Sequence, residues 1–224
     1  MRCDKDFTMQ SPDKRNFDAV AATWDEKPER VRLAGEVAAT IVREVPLSLQ
    51  MTALDYGCGS GLVTMAIQPH VGQIVAADSS QGMLDVLEQK VQNHGIDTIS
   101  TRLIDLTVRD CLEGKFDLIF SSMTMHHVCD VAALITTFVR ALKPGGWLAL
   151  ADLEAEDGSF HEDPTGVCHH GFERGFIQAL LTEKGCFDVR VVSAAIIRKE
   201  SSGGERFYPV FLTVGRTGIG SFAS

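Results

Sequence analysis

The chain has 224 residues, of which 45% are hydrophobic and 23% charged, with a formal net charge of −9. That length and composition suit one globular domain whose core stands without disulfides or metal, and they exclude disordered and fibrous classes. The acidic balance argues against nucleic acid and anionic membranes as partners, since both demand a basic face; a cationic cofactor or a neutral small molecule is more compatible.

Residues 1–14 are polar and predict a flexible N-terminus with no apolar leader segment. A helical cap is expected over 15–46. Phe17 to Trp24 returns apolar residues at three- and four-residue intervals, Pro28 interrupts the pattern, and Glu29 to Val45 forms a second helix ended by Pro46. From 47 to 216 strands and helices alternate. Met51–Tyr56, Gln73–Asp78, Asp97–Ile104, Phe116–Ser121 and Trp147–Leu153 read as strands. Leu62–Ile67, a segment capped by Ser80 and running to Asn93, one opened by Asp130 and running to Leu142, and Phe172–Lys184 read as helices. Lys143-Pro144-Gly145-Gly146 reads as a turn. Two β-rich runs, Phe187–Arg198 and Arg206–Val214, flank a Ser-Gly-rich stretch and predict an antiparallel hairpin, followed by a short tail over 217–224. The alternation predicts a doubly wound α/β fold with a mostly parallel sheet, whose ligands bind beyond the carboxyl ends of the strands. No run of about 18 apolar residues predicts a membrane span. The six cysteines are scattered without a C-x-x-C pair, which reads as reduced thiols in a cytoplasmic protein.

The chemistry-bearing signals fall at strand ends. Leu54-Asp55-Tyr56-Gly57-Cys58-Gly59-Ser60-Gly61 is a strand running into three alternating glycines before a helix. Dinucleotide folds space their glycines G-x-G-x-x-G. Here the spacing is G-x-G-x-G, with Asp55 two places before the first glycine. A carboxylate there would repel a pyrophosphate and attract an ammonium. Asp78 closes the second strand 21 positions after Gly57, where an acid can accept both ribose hydroxyls; the plainer role is to favour the next helix's N-terminus. Asp105, just past the third strand, is placed to accept from an adenine amino group or to close an Asx turn. Met83 is placed to pack on an adenine face or to sit in the core.

This set, with Phe116-Asp117-Leu118-Ile119-Phe120-Ser121 and Leu142-Lys143-Pro144-Gly145-Gly146, resembles the class I S-adenosylmethionine-dependent methyltransferases of the small-molecule, domain 11/12-like type, over roughly residues 16–216. The resemblance implies a seven-stranded Rossmann-like sheet with an antiparallel last strand. It also implies S-adenosyl-L-methionine as cofactor, S-adenosyl-L-homocysteine as product and a small-molecule methyl acceptor. Asp55, Gly57, Cys58, Gly59, Gly61 and Ser121 would surround the methionine part. Asp78 and Ser79 would hold the ribose, and Met83, Asp105 and Leu106 the adenine. Phe17 and Trp24 would cap the site.

Candidate bases are His126 and His127 after the fourth strand, and His161, His169 and His170 in the acidic loop after the fifth, where Phe160 would join Trp24 in lining the acceptor pocket. His161, Cys168, His169, His170 and Asp163 match no zinc spacing, and adjacent histidines seldom reach one tetrahedral ion, so no metal is expected. A monomer or homodimer is expected. The rival readings are a catalytically silent S-adenosylmethionine-binding protein and a nicotinamide-dependent oxidoreductase.

Overall fold

A computed structural model describes residues 16–105, 112, 114–201 and 204–218. The flexible N-terminus and most of the tail expected from sequence, together with Cys3, Leu106 and Cys111, lie outside the described residues. The chain opens with a 3-10 segment, Asp18–Glu26, and helix α1, Pro28–Glu44. Pro28 starts this helix rather than merely breaking the previous one, because its missing N–H falls where no helical partner exists. Then follow β1 (Thr52–Tyr56), α2 (Leu62–Ile67), β2 (Gln73–Asp78), α3 (Gln81–Asn93), β3 (Ile99–Leu103), β4 (Phe116–Ser122), α4 (Val131–Ala141), β5 (Leu142–Leu153), α5 (Arg174–Glu183), β6 (Cys186–Ser201) and β7 (Gly204–Thr217).

The strands form one seven-stranded sheet in the order β3-β2-β1-β4-β5-β7-β6. The first five in that order are parallel to one another, and β7 runs antiparallel to both β5 and β6. The chain winds outward from β1 through β2 to β3, then returns to build the other half from β4. The switch point therefore lies between the carboxyl ends of β1 and β4, where such sheets bind ligands.

Side chains alternate across the sheet and feed two cores. Leu118 and Phe120 of β4 join Ile41 of α1, Ile67 of α2 and Leu87 of α3 on one face. Ile119 joins Phe138 of α4 and Leu181 of α5 on the other. This double coverage explains why the central strands read as continuous apolar runs. The caps hold too: Ser80 Oγ accepts from Met83 N, and Asp130 Oδ1 from Ala133 N.

One expected turn takes another form. Lys143 to Gly146 is absorbed into β5 as an irregularity, since pairing jumps from Phe116↔Leu142 to Leu118↔Trp147. Gly145, at φ +78°, takes up the kink, and Thr217 Oγ1 donates to the Lys143 carbonyl. No described helix is long and apolar enough to cross a membrane.

Candidate active site

The glycine loop folds back over the end of β2. The N–H groups of Gly57 and Cys58 both donate to the Ala77 carbonyl, at 2.8 and 3.1 Å. Gly57, Gly59 and Gly61 all adopt positive φ. At Gly57 a side chain would also collide, because an added Cβ would lie 2.3 Å from Thr124 Oγ1. The requirement for glycine is thus set partly by the segment after β4, which crosses directly over the loop.

Asp78 ties this loop to the next helix. Its Oδ2 accepts from Gly59 N at 2.7 Å and its Oδ1 from Ser80 N at 2.9 Å. Burial raises its carboxyl pKa, opposed by the N–H groups of Ser80, Gly59 and Ser79. Backbone N–H groups orient the carboxylate, and its roughly four acceptor sites exceed these three donors, leaving capacity for a hydroxyl. The helix-start role considered for Asp78 is present, since the carboxylate accepts from the N–H of Ser80, the residue that caps α3. Ser79 beside it is exposed. Ile104 N donates to the Asp78 carbonyl, bringing half-buried Asp105 to the same end of the sheet. Met83 is 2% exposed, a packing position on α3.

Asp55 lies deeper than its expected role suggests. It is 1% exposed and accepts from Thr64 Oγ1 of α2 at 2.6 Å. Burial pushes its carboxyl up to about 7, against the Thr64 hydrogen bond and helped by the nearby Asp78 charge. Ser121 is equally enclosed, and its hydroxyl donates to the Tyr56 carbonyl at 2.7 Å, fastening β4 to β1 below the loop. Cys58 is buried, and desolvation holds its thiol well above the ordinary range.

The 3-10 segment closes over this end of the sheet through two carboxylates. Asp18 Oδ1 accepts from Ser80 Oγ at 2.5 Å and Gly82 N at 2.8 Å, which lowers its pKa. Asp25 accepts from Ser60 Oγ at 2.5 Å and pairs with Lys90. Trp24 is clamped from outside by Arg30, whose guanidinium lies 3.6 Å from the indole centroid and donates to the Trp24 carbonyl. On the inner side Phe17 meets Trp24 edge-on at 6.0 Å and His127 at 5.4 Å.

Three of the five candidate histidines come together. The ring centroids of His126 and His127 are 4.2 Å apart, those of His126 and His161 5.0 Å, and those of His127 and His161 5.6 Å. The first two rings come from the 3-10 turn Met125–His127 directly after β4, and the third from the loop after β5. Each of the first two rings is held by an acceptor: His126 Nδ1 meets Asp152 Oδ1 at 2.6 Å, and His127 Nδ1 meets the Gly166 carbonyl at 2.7 Å.

The other two candidates stand apart. His169 Nε2 bonds the Val128 carbonyl at 3.1 Å while its ring packs on Phe172. His170 is exposed and faces Glu156 at 3.8 Å. Phe160 belongs to the core, where it supports His161 and Tyr208 edge-on beneath Lys199. The expectation of reduced thiols is corrected at one pair: Cys129 and Cys168 form a disulfide that joins the loop after β5 to the segment after β4. The topology brings two cysteines 39 positions apart side by side, which their spacing does not reveal.

Residues 54–150 match the methyltransferase domain family. An uncharacterized methyltransferase of Schizosaccharomyces pombe is 32% identical over 158 residues, covering 64% of this chain and 55% of its own length. The chain thus spans about half the length of that relative. Among solved structures, a Haloferax volcanii putative methyltransferase in complex with the Trm112 methyltransferase activator superposes with a TM-score of 0.73 at 19% identity, covering 92% of this chain and 99% of that one. The Haemonchus contortus phosphoethanolamine N-methyltransferase 2 in complex with S-adenosyl-L-methionine gives a TM-score of 0.67 at 16% identity, covering 91% and 60%. Residues 54–150 carry the likeness to the methyltransferase domain family, and the chain has the fold of the solved S-adenosylmethionine-dependent methyltransferases.

The sequence motifs locate the loop but miss its supports. Asp152, buried at the end of β5, is the anchor of His126, also accepting from His126 N and Leu153 N. Its position at a strand's carboxyl end was the available signal. Asp18, Asp25, Thr64 and Thr124 have no comparable signature. Met123 is a further mark of a constrained segment: a non-glycine residue at φ +56° directly after β4.

Proposed function

We propose that this methyltransferase domain transfers a methyl group from S-adenosyl-L-methionine to a small-molecule acceptor, releasing S-adenosyl-L-homocysteine. The observation that carries the reading is Asp78, fixed by the N–H groups of Gly59 and Ser80 at the carboxyl end of β2, next to β1 and its switch point with β4. In this reading Asp78 takes the ribose hydroxyls, and Asp105 and Met83 border the adenine. Asp55, beneath the glycine loop, supplies negative charge toward the methionine ammonium. Methyl transfer is an in-line displacement at a sulfonium, so the site contributes proximity, alignment and exclusion of water. The lid of Phe17 and Trp24 over His127 and His161 is the acceptor side, and an imidazole there is placed to take an acceptor proton.

The acidic net charge and the enclosed aromatic-histidine corner favour a small acceptor over a nucleic acid. The Haemonchus structure is named for a small-molecule methylation, and the Haloferax one was solved with an activator protein. The reading sets this chain in the cytoplasm as a monomer or homodimer. Calorimetric titration with S-adenosylmethionine and S-adenosylhomocysteine tests it, using the parent protein and Asp78→Ala. Binding of both, weakened at least tenfold by Asp78→Ala, is expected. Absence of binding by folded protein overturns it and directs attention to nicotinamide cofactors. Binding without turnover over a broad acceptor panel favours the silent cofactor-binding protein.

A further inference from the structure

We infer that His126, His127 and His161 form a binding site for one divalent transition-metal ion of the zinc class. Each residue offers one ring nitrogen, and the three lie within 4.8 Å of one another, the one such group among the described residues. The partners fix two tautomers. The Asp152 carboxylate and the Gly166 carbonyl accept from Nδ1 of His126 and of His127, so in each neutral imidazole the lone pair falls on Nε2. That is how metal-binding imidazoles are oriented: one nitrogen donates to a carboxylate or backbone carbonyl while the other faces the ion. His161 contributes a nitrogen, Nε2, sealed from solvent. Three ring nitrogens this close together favour a cation between them.

The ligand set selects the ion. Three imidazoles suit zinc, copper, nickel or iron, and lack the oxygen-rich shell that calcium or magnesium requires. Zinc–nitrogen bonds of about 2.0–2.1 Å in a tetrahedron put ligand atoms roughly 3.3 Å apart. From separations within 4.8 Å, the ligand atoms would close by at most about 1.5 Å to reach that spacing. His126 is the fixed member, 1% exposed against a buried Asp152. His161 is the adjustable one, since it lies in the irregular segment between β5 and α5. Three protein ligands leave a position open, as catalytic rather than structural zinc sites do. Phe17 on His127 places that position beneath the lid. Resting on the cofactor reading proposed above, the ion would take an acceptor hydroxyl or thiol there in place of a free imidazole base, and would favour loss of its proton to solvent.

The test uses the full chain without an affinity tag, stripped with chelator and titrated with cobalt(II), read by its visible ligand-field absorption, then with zinc(II) in competition. One equivalent of cobalt, displaced by zinc, is expected. His127→Ala and His161→Ala each weaken binding at least tenfold, and His169→Ala and His170→Ala leave it unchanged. No ligand-field band at submillimolar cobalt, or a band that survives the His127→Ala/His161→Ala double variant, overturns the site. Cofactor calorimetry on the stripped protein separates the two readings. Intact cofactor binding with no cobalt site sinks the metal alone, and a cobalt site without cofactor binding sinks the methyltransfer reading.

Discussion

His126 Nδ1 lies 2.6 Å from Asp152 Oδ1, and both residues are buried where the segments after β4 and β5 meet. Asp152 also accepts from the main-chain N–H groups of His126 and Leu153. Removing the carboxylate leaves three buried donors without an acceptor. At about 1–3 kcal/mol for each orphaned group, Asp152→Ala should lower stability by roughly 3 kcal/mol or more, and Asp152→Asn, which keeps one acceptor oxygen, by less. Urea unfolding of the three proteins checks the order. Equal midpoints would show that Asp152 does not hold this junction.

Asp55 is expected to cost the unliganded protein stability. Its folded pKa, about 7, lies above its ordinary value of 3.8. The stability tied to its proton is full below the ordinary value and is lost as pH rises through about 7. The full penalty above that is of order 4 kcal/mol. Asp55→Asn should therefore stabilise the unliganded chain more at pH 8 than at pH 5, while weakening S-adenosylmethionine binding. In the parent protein a bound ammonium would expel the proton. Affinity should rise from pH 6 to pH 8, with proton release on binding. Calorimetry in buffers of different ionisation enthalpy reads that release. A pH-independent affinity without it would remove Asp55 from the ligand's electrostatics.

Gly57 and Thr124 form a testable pair. Gly57→Ala incurs the left-handed backbone cost, about 1–2 kcal/mol, and drives a methyl group into the Thr124 side chain. Destabilisation with at least tenfold loss of cofactor affinity is expected. Thr124→Gly on that background should recover the steric part and leave the backbone part. A double-mutant cycle in thermal unfolding separates the two. No coupling would mean that the loop moves aside.

The sheet, the glycine loop and Asp78 were legible because their signals are local. Apolar runs mark strands covered on both faces, glycines mark positive φ, and Ser80 and Asp130 cap helices within three residues. What escaped is contact between distant segments. Asp18 and Ser80 are 62 positions apart, Asp25 and Ser60 are 35, and His126 and Asp152 are 26. Nothing in a local pattern says that His126 and His127 will share a corner with His161 rather than that His161 will stay beside His169 and His170. The choice is made by the 3-10 turn after β4 and by the loop after β5, which folds back to place Cys168 N and His169 N on the His126 carbonyl.

The same fold-back creates the Cys129–Cys168 bond. Closing 39 residues of chain removes entropy from the unfolded state, worth roughly 3–4 kcal/mol in the chain-entropy account. The cytoplasm proposed for this protein is reducing, which favours thiols. The bond and the compartment therefore make opposing demands, and each can be read separately. Rapid acid quenching of cells, alkylation and peptide mass spectrometry report the state in the cell. Unfolding of the purified protein with and without reductant reports the contribution to stability. Reductant should lower the midpoint of the parent and leave Cys129→Ser/Cys168→Ser unaffected. Because Cys168 borders the segment carrying Gly166, the acceptor of His127, reduction should also speed amide exchange over residues 161–171. A midpoint and exchange pattern indifferent to reductant would show that backbone bonds from Cys168 and His169 to His126 hold this loop without the sulfur bridge.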